Sequence, residues 1–199
     1  GKTVGYIRLT QFHGNAASNL ANAIRSLQES EAEGYILDLR NNPGGLLQAG
    51  IEIARLWLPK GTIVFTVSRQ GILDSFEAYG PALTNAPLVL LVNEGTASAS
   101  EILAGALQDN GRAQLVGSTT FGKGLIQSLF DLSDGSGLAV TVAKYETPDH
   151  HDINRLGITP DRVVEARGLN RDTIATAADP QYSAALEVLD QATVVAGVP

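Results

Sequence analysis

The 199-residue chain contains no cysteine and only three histidines, His13, His150 and His151. Without cysteine there is no disulfide, no zinc–thiolate site and no thiol nucleophile. With so few histidines, two of them adjacent, a His-assisted serine is poorly supplied, and a peptidase on this chain needs another base. The lack of cysteine fits cytosol, periplasm or an organelle lumen equally, so composition does not select a compartment. Positive charge is also scarce: 14 Lys and Arg stand against 21 Asp and Glu, a net charge of -7 with no basic cluster. That argues against a general nucleic-acid partner, because phosphate binding needs a local surplus of Lys and Arg. No apolar run approaches the ~18 residues that span a bilayer, and the N-terminus lacks a basic segment followed by an apolar one. Repeats and low-complexity tracts are absent. A start at Gly1-Lys2-Thr3, without Met, is that expected of a processed protein or an excised domain, and leaves room for upstream modules.

What is present suits one globular domain, with 44% hydrophobic and 18% charged residues. Strand-like alternation over 3–9 precedes a segment, 15–30, that places Leu20, Ile24 and Leu27 at helical spacing. The nearly continuous apolar run 34–39 reads as a buried strand and ends in the turn signal Arg40-Asn41-Asn42-Pro43-Gly44-Gly45, with a helix from about 46 to 57. Strands are expected at 63–67 and 73–79, linked around Gly71, and at 87–92. A helix follows from Ser98 to about Gln108, with a left-handed C-cap near Asn110-Gly111. Further strands are expected at 113–116, 125–129 and 138–144, the last two joined by an Asp134-Gly135 turn. Past Asp161 the pattern weakens, though Pro180-Gln181-Tyr182 opens a run suited to a final helix. Alternating strands and helices predict an α/β fold, with a core over 1–167 and a C-terminal tail, 168–199, whose helix packs on it.

Two segments carry chemistry. In Gly95-Thr96-Ala97-Ser98-Ala99-Ser100-Glu101, Ser98 stands where an apolar strand has ended and a helix begins. There a hydroxyl is exposed and backbone N–H groups point outward, as a nucleophile requires. The Ala99 N–H at the helix start would stabilise an oxyanion, a contribution of about 3 kcal/mol per donor. A second donor is available from the Pro43-Gly44-Gly45 turn, where glycine permits close approach of backbone to substrate. The same segment also satisfies S-x-x-E, by which Ser98 is an N-cap and Glu101 reaches back to it.

The second segment, Gly117 to Gly124, spells the first seven positions of the phosphate-binding pattern G-x-x-x-x-G-K-[S/T] but has glycine at the eighth. No hydroxyl is left for Mg²⁺ there, and Leu125-Ile126-Gln127-Ser128-Leu129 favours a strand over the required helix. Lys123 then reads either as a solvated surface lysine or as a general base, which requires a desolvating pocket to lower its pKa. On a strand from Leu125, Gln127 lies on the same side as Lys123 and its amide oxygen can orient the amine.

Together, Gly95-Thr96-Ala97-Ser98-Ala99-Ser100-Glu101-Ile102, Phe121-Gly122-Lys123-Gly124 and Asp38-Leu39-Arg40-Asn41-Asn42-Pro43-Gly44-Gly45 resemble the motif set of the C-terminal processing, or tail-specific, serine peptidases, over roughly Val4 to Arg162. The resemblance implies a crotonase- and Clp-protease-like α/β core, Ser98 as nucleophile, Lys123 as general base, Gln127 as its orienting partner, and an oxyanion hole from the N–H groups of Gly44 and Ala99. It implies an endopeptidase that works through an acyl-enzyme on protein C-termini, with neither metal nor organic cofactor and no nucleic acid. Lys144 to Asn154 and Gly157-Ile158-Thr159-Pro160-Asp161 are similar to the cyanobacterial and chloroplast branch, whose members process a photosystem II reaction-centre precursor. That branch implies a periplasmic or thylakoid-lumen location and is compatible with a membrane-associated substrate.

The His150-His151-Asp152 cluster, in a turn after Pro148 and without a separated further ligand, reads as a surface turn rather than a metal site. Asp38, Arg40 and Glu101 are expected to buttress the site through ion pairs, or to be ordinary structural polarity. Family members usually carry a PDZ module, and no segment here reads as one. Two other classes share these residues: a catalytically silent peptide-binding scaffold, and an acyl-thioester enzyme on the same core.

Overall fold

The computed structural model describes residues 2–166 and 168–196. Its centre is a five-stranded parallel sheet in the order β1-β2-β5-β6-β9, formed by Val4–Arg8, Gly34–Asp38, Leu88–Val92, Gln114–Gly117 and Arg162–Val163. Every residue of β2 and β5 is buried, as expected of parallel strands covered on both faces. Strand alternation then divides the core in two. Tyr35, Leu37, Leu88, Leu90 and Leu115 share one cluster with residues of α1 (Ala16–Glu29), α2 (Leu47–Trp57) and α3 (Ala99–Asp109). Ile36, Val89, Leu91 and Val116 face the other way, onto Ala184, Ala185, Val188 and Leu189 of α4 (Pro180–Ala196).

A second, antiparallel sheet, β4-β3-β8-β7, is built from two hairpins, β3 (Lys60–Ser68) with β4 (Gly71–Tyr79) and β7 (Leu125–Asp131) with β8 (Gly137–Glu146). Gly135, at φ +83°, supplies the turn of the second hairpin where Asp134-Gly135 predicts it. Helix α3 ends with Gly111 at φ +64° and the paired bonds Gly111 N–H to Gln108 carbonyl and Arg112 N–H to Leu107 carbonyl, the Schellman arrangement. This mixture of a parallel and an antiparallel sheet is the α/β class read from the sequence, and no PDZ module is present among the described residues. The two-residue β9 has no sequence signal, being too short to show a period. Residue 167, where the expected core ends, and the last three residues of the expected tail lie outside the described residues.

Topology places the site. Strands β2, β5 and β6 are adjacent and parallel, so the segments leaving their C-terminal ends, 39–46, 93–98 and 118–124, emerge side by side. These are the three segments that carry the motifs.

Candidate active site

Ser98 sits at the N-cap of α3 with φ +59° and ψ −120°. An N-cap ordinarily adopts extended backbone, and a non-glycine residue in this region carries about 1–3 kcal/mol of strain. The Glu101 half of the capping box read from S-x-x-E is formed, with the Ser98 N–H donated to Glu101 Oε2 at 2.9 Å, while the Glu101 N–H bonds the Ser98 carbonyl at 2.9 Å. Capping does not require the strained angle. A sharp strand-to-helix turn that exposes a nucleophile does.

Glu101 does far more than close the box. It is fully buried and its carboxylate accepts four hydrogen bonds: from the Ser98 N–H, the Thr120 hydroxyl (2.6 Å), the Gly122 N–H (2.7 Å) and the Lys123 N–H (2.8 Å). The expected ion pair is absent, since among the described residues none involves Glu101. Backbone amides provide its compensation instead, and they bind the serine segment to the lysine loop. Thr96 adds a further tie by accepting the Phe121 N–H on its carbonyl at 3.0 Å.

The lysine loop is pressed against a wall made by 153–158. A Cβ on Gly122, which has φ +86°, would lie 2.9 Å from Arg155 backbone, and one on Gly124 would lie 2.6 Å from the Asn154 nitrogen. The Arg155 N–H bonds the Gly122 carbonyl (2.9 Å), and Thr120 accepts the Ile158 N–H on its hydroxyl (2.7 Å). The two glycines are therefore needed for close packing of the lysine turn. Lys123, Leu125 and Gln127 are exposed, alternating with buried Gly124 and half-buried Ile126 and Ser128, so Lys123 and Gln127 share a side. The enclosing pocket anticipated for Lys123 is not formed, and no hydrogen bond among the described residues involves its amine or the Gln127 amide.

The turn after β2 abuts the serine. Gly44, at φ +94°, is packed so closely that a Cβ there would lie 2.8 Å from Ser98 Cβ and 2.9 Å from the Ala99 nitrogen. The Gly44 N–H is donated to Asn42 Oδ1 at 2.9 Å, so this second anticipated oxyanion donor already has an acceptor. Asn42 accepts on its carbonyl from both the Ala97 N–H (2.9 Å) and the Ser100 hydroxyl (3.0 Å), one on each side of Ser98 and its neighbour. Among the described residues no hydrogen bond uses the Ala99 or Gly45 N–H.

Behind the turn, Arg40 pairs with Asp38 (2.7 Å) and Asp179 (2.8 Å), all three buried. Burial alone would lower the Arg40 pKa, but its bonds to the two carboxylates outweigh that and raise it. The expected ion-pair role thus holds for Asp38 and Arg40. The cluster at 150–152 forms a surface turn, with His150 exposed at φ +62°, stacked on Phe65 at 4.4 Å and 3.1 Å from Glu146, while Asp152 pairs with Lys144 at 2.8 Å.

The sequence matches the profile of peptidase family S41 over residues 3–164. The chain belongs to that family. Within it, the carboxyl-terminal-processing protease of Synechocystis sp. is 66% identical over 196 residues, which are 98% of this chain and 46% of that protein. The chloroplastic carboxyl-terminal-processing peptidase 3 of Arabidopsis thaliana is 56% identical over 159 residues, 79% of this chain and 31% of that protein. A solved structure, the photosystem II D1 C-terminal processing protease, superposes with a TM-score of 0.82 at 44% identity, covering 90% of this chain and 48% of that one. The chain spans about half the length, or less, of these relatives. The S41 match includes all three motif loops and ends before Asp179 and α4.

Residues that sequence reading missed are Asn42, Thr120 and Asp179. Asn42 and Thr120 lie inside the segments read from the sequence, but most of their partners, Leu9, Ala97 and Ser100 for Asn42 and Glu101 and Ile158 for Thr120, are far along the chain. Asp179 has a local signal only as the N-cap of α4, whose Gln181 and Tyr182 N–H groups it accepts at 3.1 Å.

Proposed function

We propose that the chain is the catalytic core of a Ser-Lys endopeptidase that cleaves near the C-terminus of a protein substrate. Glu101 carries the reading, because a single buried carboxylate holds the strained Ser98 and the Lys123 loop together. Lys123 takes the Ser98 proton as general base, with Gln127 of β7 orienting its amine. The hydroxyl oxygen attacks the scissile carbonyl, and the Ala99 N–H at the start of α3 receives the developing negative charge. Gly44 contributes the second donor by exchanging Asn42 Oδ1 for the substrate oxygen. The lysine then protonates the leaving amine, and water cleaves the acyl-enzyme by the reverse proton path. The scheme uses no metal or organic cofactor.

The names of the relatives, one chloroplastic and one a photosystem II D1 processing protease, support a protein substrate of the D1 type; a periplasm or thylakoid lumen is the proposed place of meeting it. The exposed, unbonded Lys123 amine favours a second reading, a peptide-binding core that does not cleave. Turnover decides between them. Ser98→Ala and Lys123→Ala are each expected to abolish hydrolysis of a peptide with a free C-terminus while keeping a cooperative melt. Wild-type turnover in either variant would refute the mechanism, and no turnover in the unmodified chain would favour the silent module.

A further inference from the structure

We propose that Asp179, from beyond the family-matched segment, is a positioning residue for the oxyanion turn and acts through Arg40. The inference rests on the proposed roles of Ser98 and Gly44.

Arg40 leads directly into that turn, and all five of its N–H donors are engaged. Nε and one Nη2 hydrogen go to Asp38 (3.0 and 2.7 Å). Asp179 receives bonds from Nη1 and Nη2 (3.0 and 2.8 Å), and Gln181 Oε1 takes the last from Nη1 at 3.0 Å. Asp38 is held in turn by the Tyr6 hydroxyl at 2.6 Å and the Arg40 N–H at 2.9 Å. One carboxylate would neutralise Arg40. The second gives a cluster with a net negative charge, out of contact with water, more charge than the neutralisation of Arg40 requires. What Asp179 adds is geometry. Gripped along two edges by two bidentate carboxylates, the guanidinium cannot pivot, and the turn beginning at Arg40 is registered against α4.

Downstream, that registration reaches the reacting groups within a few residues. Asn41 is bound to Asn93 through its N–H (2.8 Å) and side chain (3.0 Å), and Asn42 holds Gly44, Ala97 and Ser100. Beyond its start, helix α4 packs on the sheet mainly through apolar side chains, with an Arg162–Glu187 ion pair at the edge. Its polar start is the part that touches the catalytic side.

The test compares two variants of the chain. Asp179→Asn keeps the helix cap and the volume but withdraws the charge. The expected result is a kcat lower by about 10- to 100-fold with KM within about twofold, as for a small displacement of catalytic groups. The amide resonances of Gly44, Gly45 and Ala97 shift, while that of Leu90, in the sheet centre, stays in place. Val188→Ala loosens the same helix without touching Arg40, and is expected to lower the melting temperature with kcat and the glycine amides unchanged. If Asp179→Asn does not fold, Asp179→Glu, with charge kept and the carboxylate moved by one methylene, takes its place with the same readouts. A folded Asp179 variant with wild-type amide positions in the turn overturns the proposal, as does an equal kcat loss in Val188→Ala. Failure of the wild-type chain to hydrolyse peptides would count against the proposed activity, while the amide positions still decide the clamp.

Discussion

Ser98 and Lys123 donate their backbone N–H groups to the same atom, Oε2 of Glu101, at 2.9 and 2.8 Å. Their backbones therefore lie within two hydrogen-bond lengths of each other, a gap a lysine side chain spans easily. The other oxygen, Oε1, takes the Thr120 hydroxyl and the Gly122 N–H, so the carboxylate grips the lysine loop over four residues.

Glu101→Gln removes acceptor capacity from a site that supplies only donors, and its NH₂ group faces N–H groups already there. A loss of about 3 kcal/mol in stability is expected, from buried donors left unpaired. Peptide hydrolysis should fall about 100-fold as the two loops separate. Urea denaturation and steady-state kinetics measure the two effects, and activity at wild-type level would remove Glu101 from the positioning scheme.

Thr120→Val tests the same junction more gently, since it keeps the shape while deleting one donor to Glu101 and the acceptor for the Ile158 N–H. A destabilisation of about 1–3 kcal/mol is expected, with a smaller activity loss than in Glu101→Gln. A larger activity loss than that of the glutamate variant would reverse the hierarchy assigned here.

Gly44→Ala and Gly135→Ala both place a side chain at positive φ, +94° and +83°. The first methyl would collide with the Ala97 carbonyl and Ser98 Cβ at 2.6 and 2.8 Å, whereas the second meets nothing within 4 Å. Gly135→Ala should cost only the conformational strain, about 1 kcal/mol, and leave activity intact. For Gly44→Ala the expected loss of kcat is about 100-fold or more, and comparable kcat values in the two variants would contradict the close packing at Ser98.

Acid should expose the Asp179 clamp. Burial pushes its carboxyl upward, but the Arg40 hydrogen bonds, with those from the Tyr182 and Ala175 N–H groups, outweigh burial and hold the pKa below the ordinary value. A depressed acid contributes stability that is fully present above the unfolded-chain pKa, near 4, and is lost as pH falls through the lower folded value. The melting temperature of the chain should therefore drop steeply below about pH 4. In Asp179→Asn that drop should be shallower, and identical slopes in the two proteins would count against the ionised pair.

Much of this architecture was legible because its signals are local. The nearly continuous apolar run of β2 and the all-apolar β5 announce strands covered on both faces, and Asn110-Gly111 and Asp134-Gly135 announce a cap and a hairpin turn. Glu101 was legible only as half of a capping box, because Thr120, Gly122 and Lys123, its other partners, come from another loop. Asn42 and Asp179 were invisible for the same reason. A side chain whose partners lie across the fold leaves no spacing rule in the sequence.

Residue order settles which groups are available to this protein. It offers a serine before a helix, a lysine between glycines and a glycine turn after a strand, with no thiol and no well-placed histidine to compete. Folding settles how they are held, because adjacent parallel strands bring their C-terminal loops together and only then can one buried carboxylate bind two of them. The strained angle at Ser98, the capture of the Gly44 N–H by Asn42 and the grip of Asp179 on Arg40 all arise at that stage. Each depends on distances between segments remote in the chain, set by packing rather than by neighbouring residues.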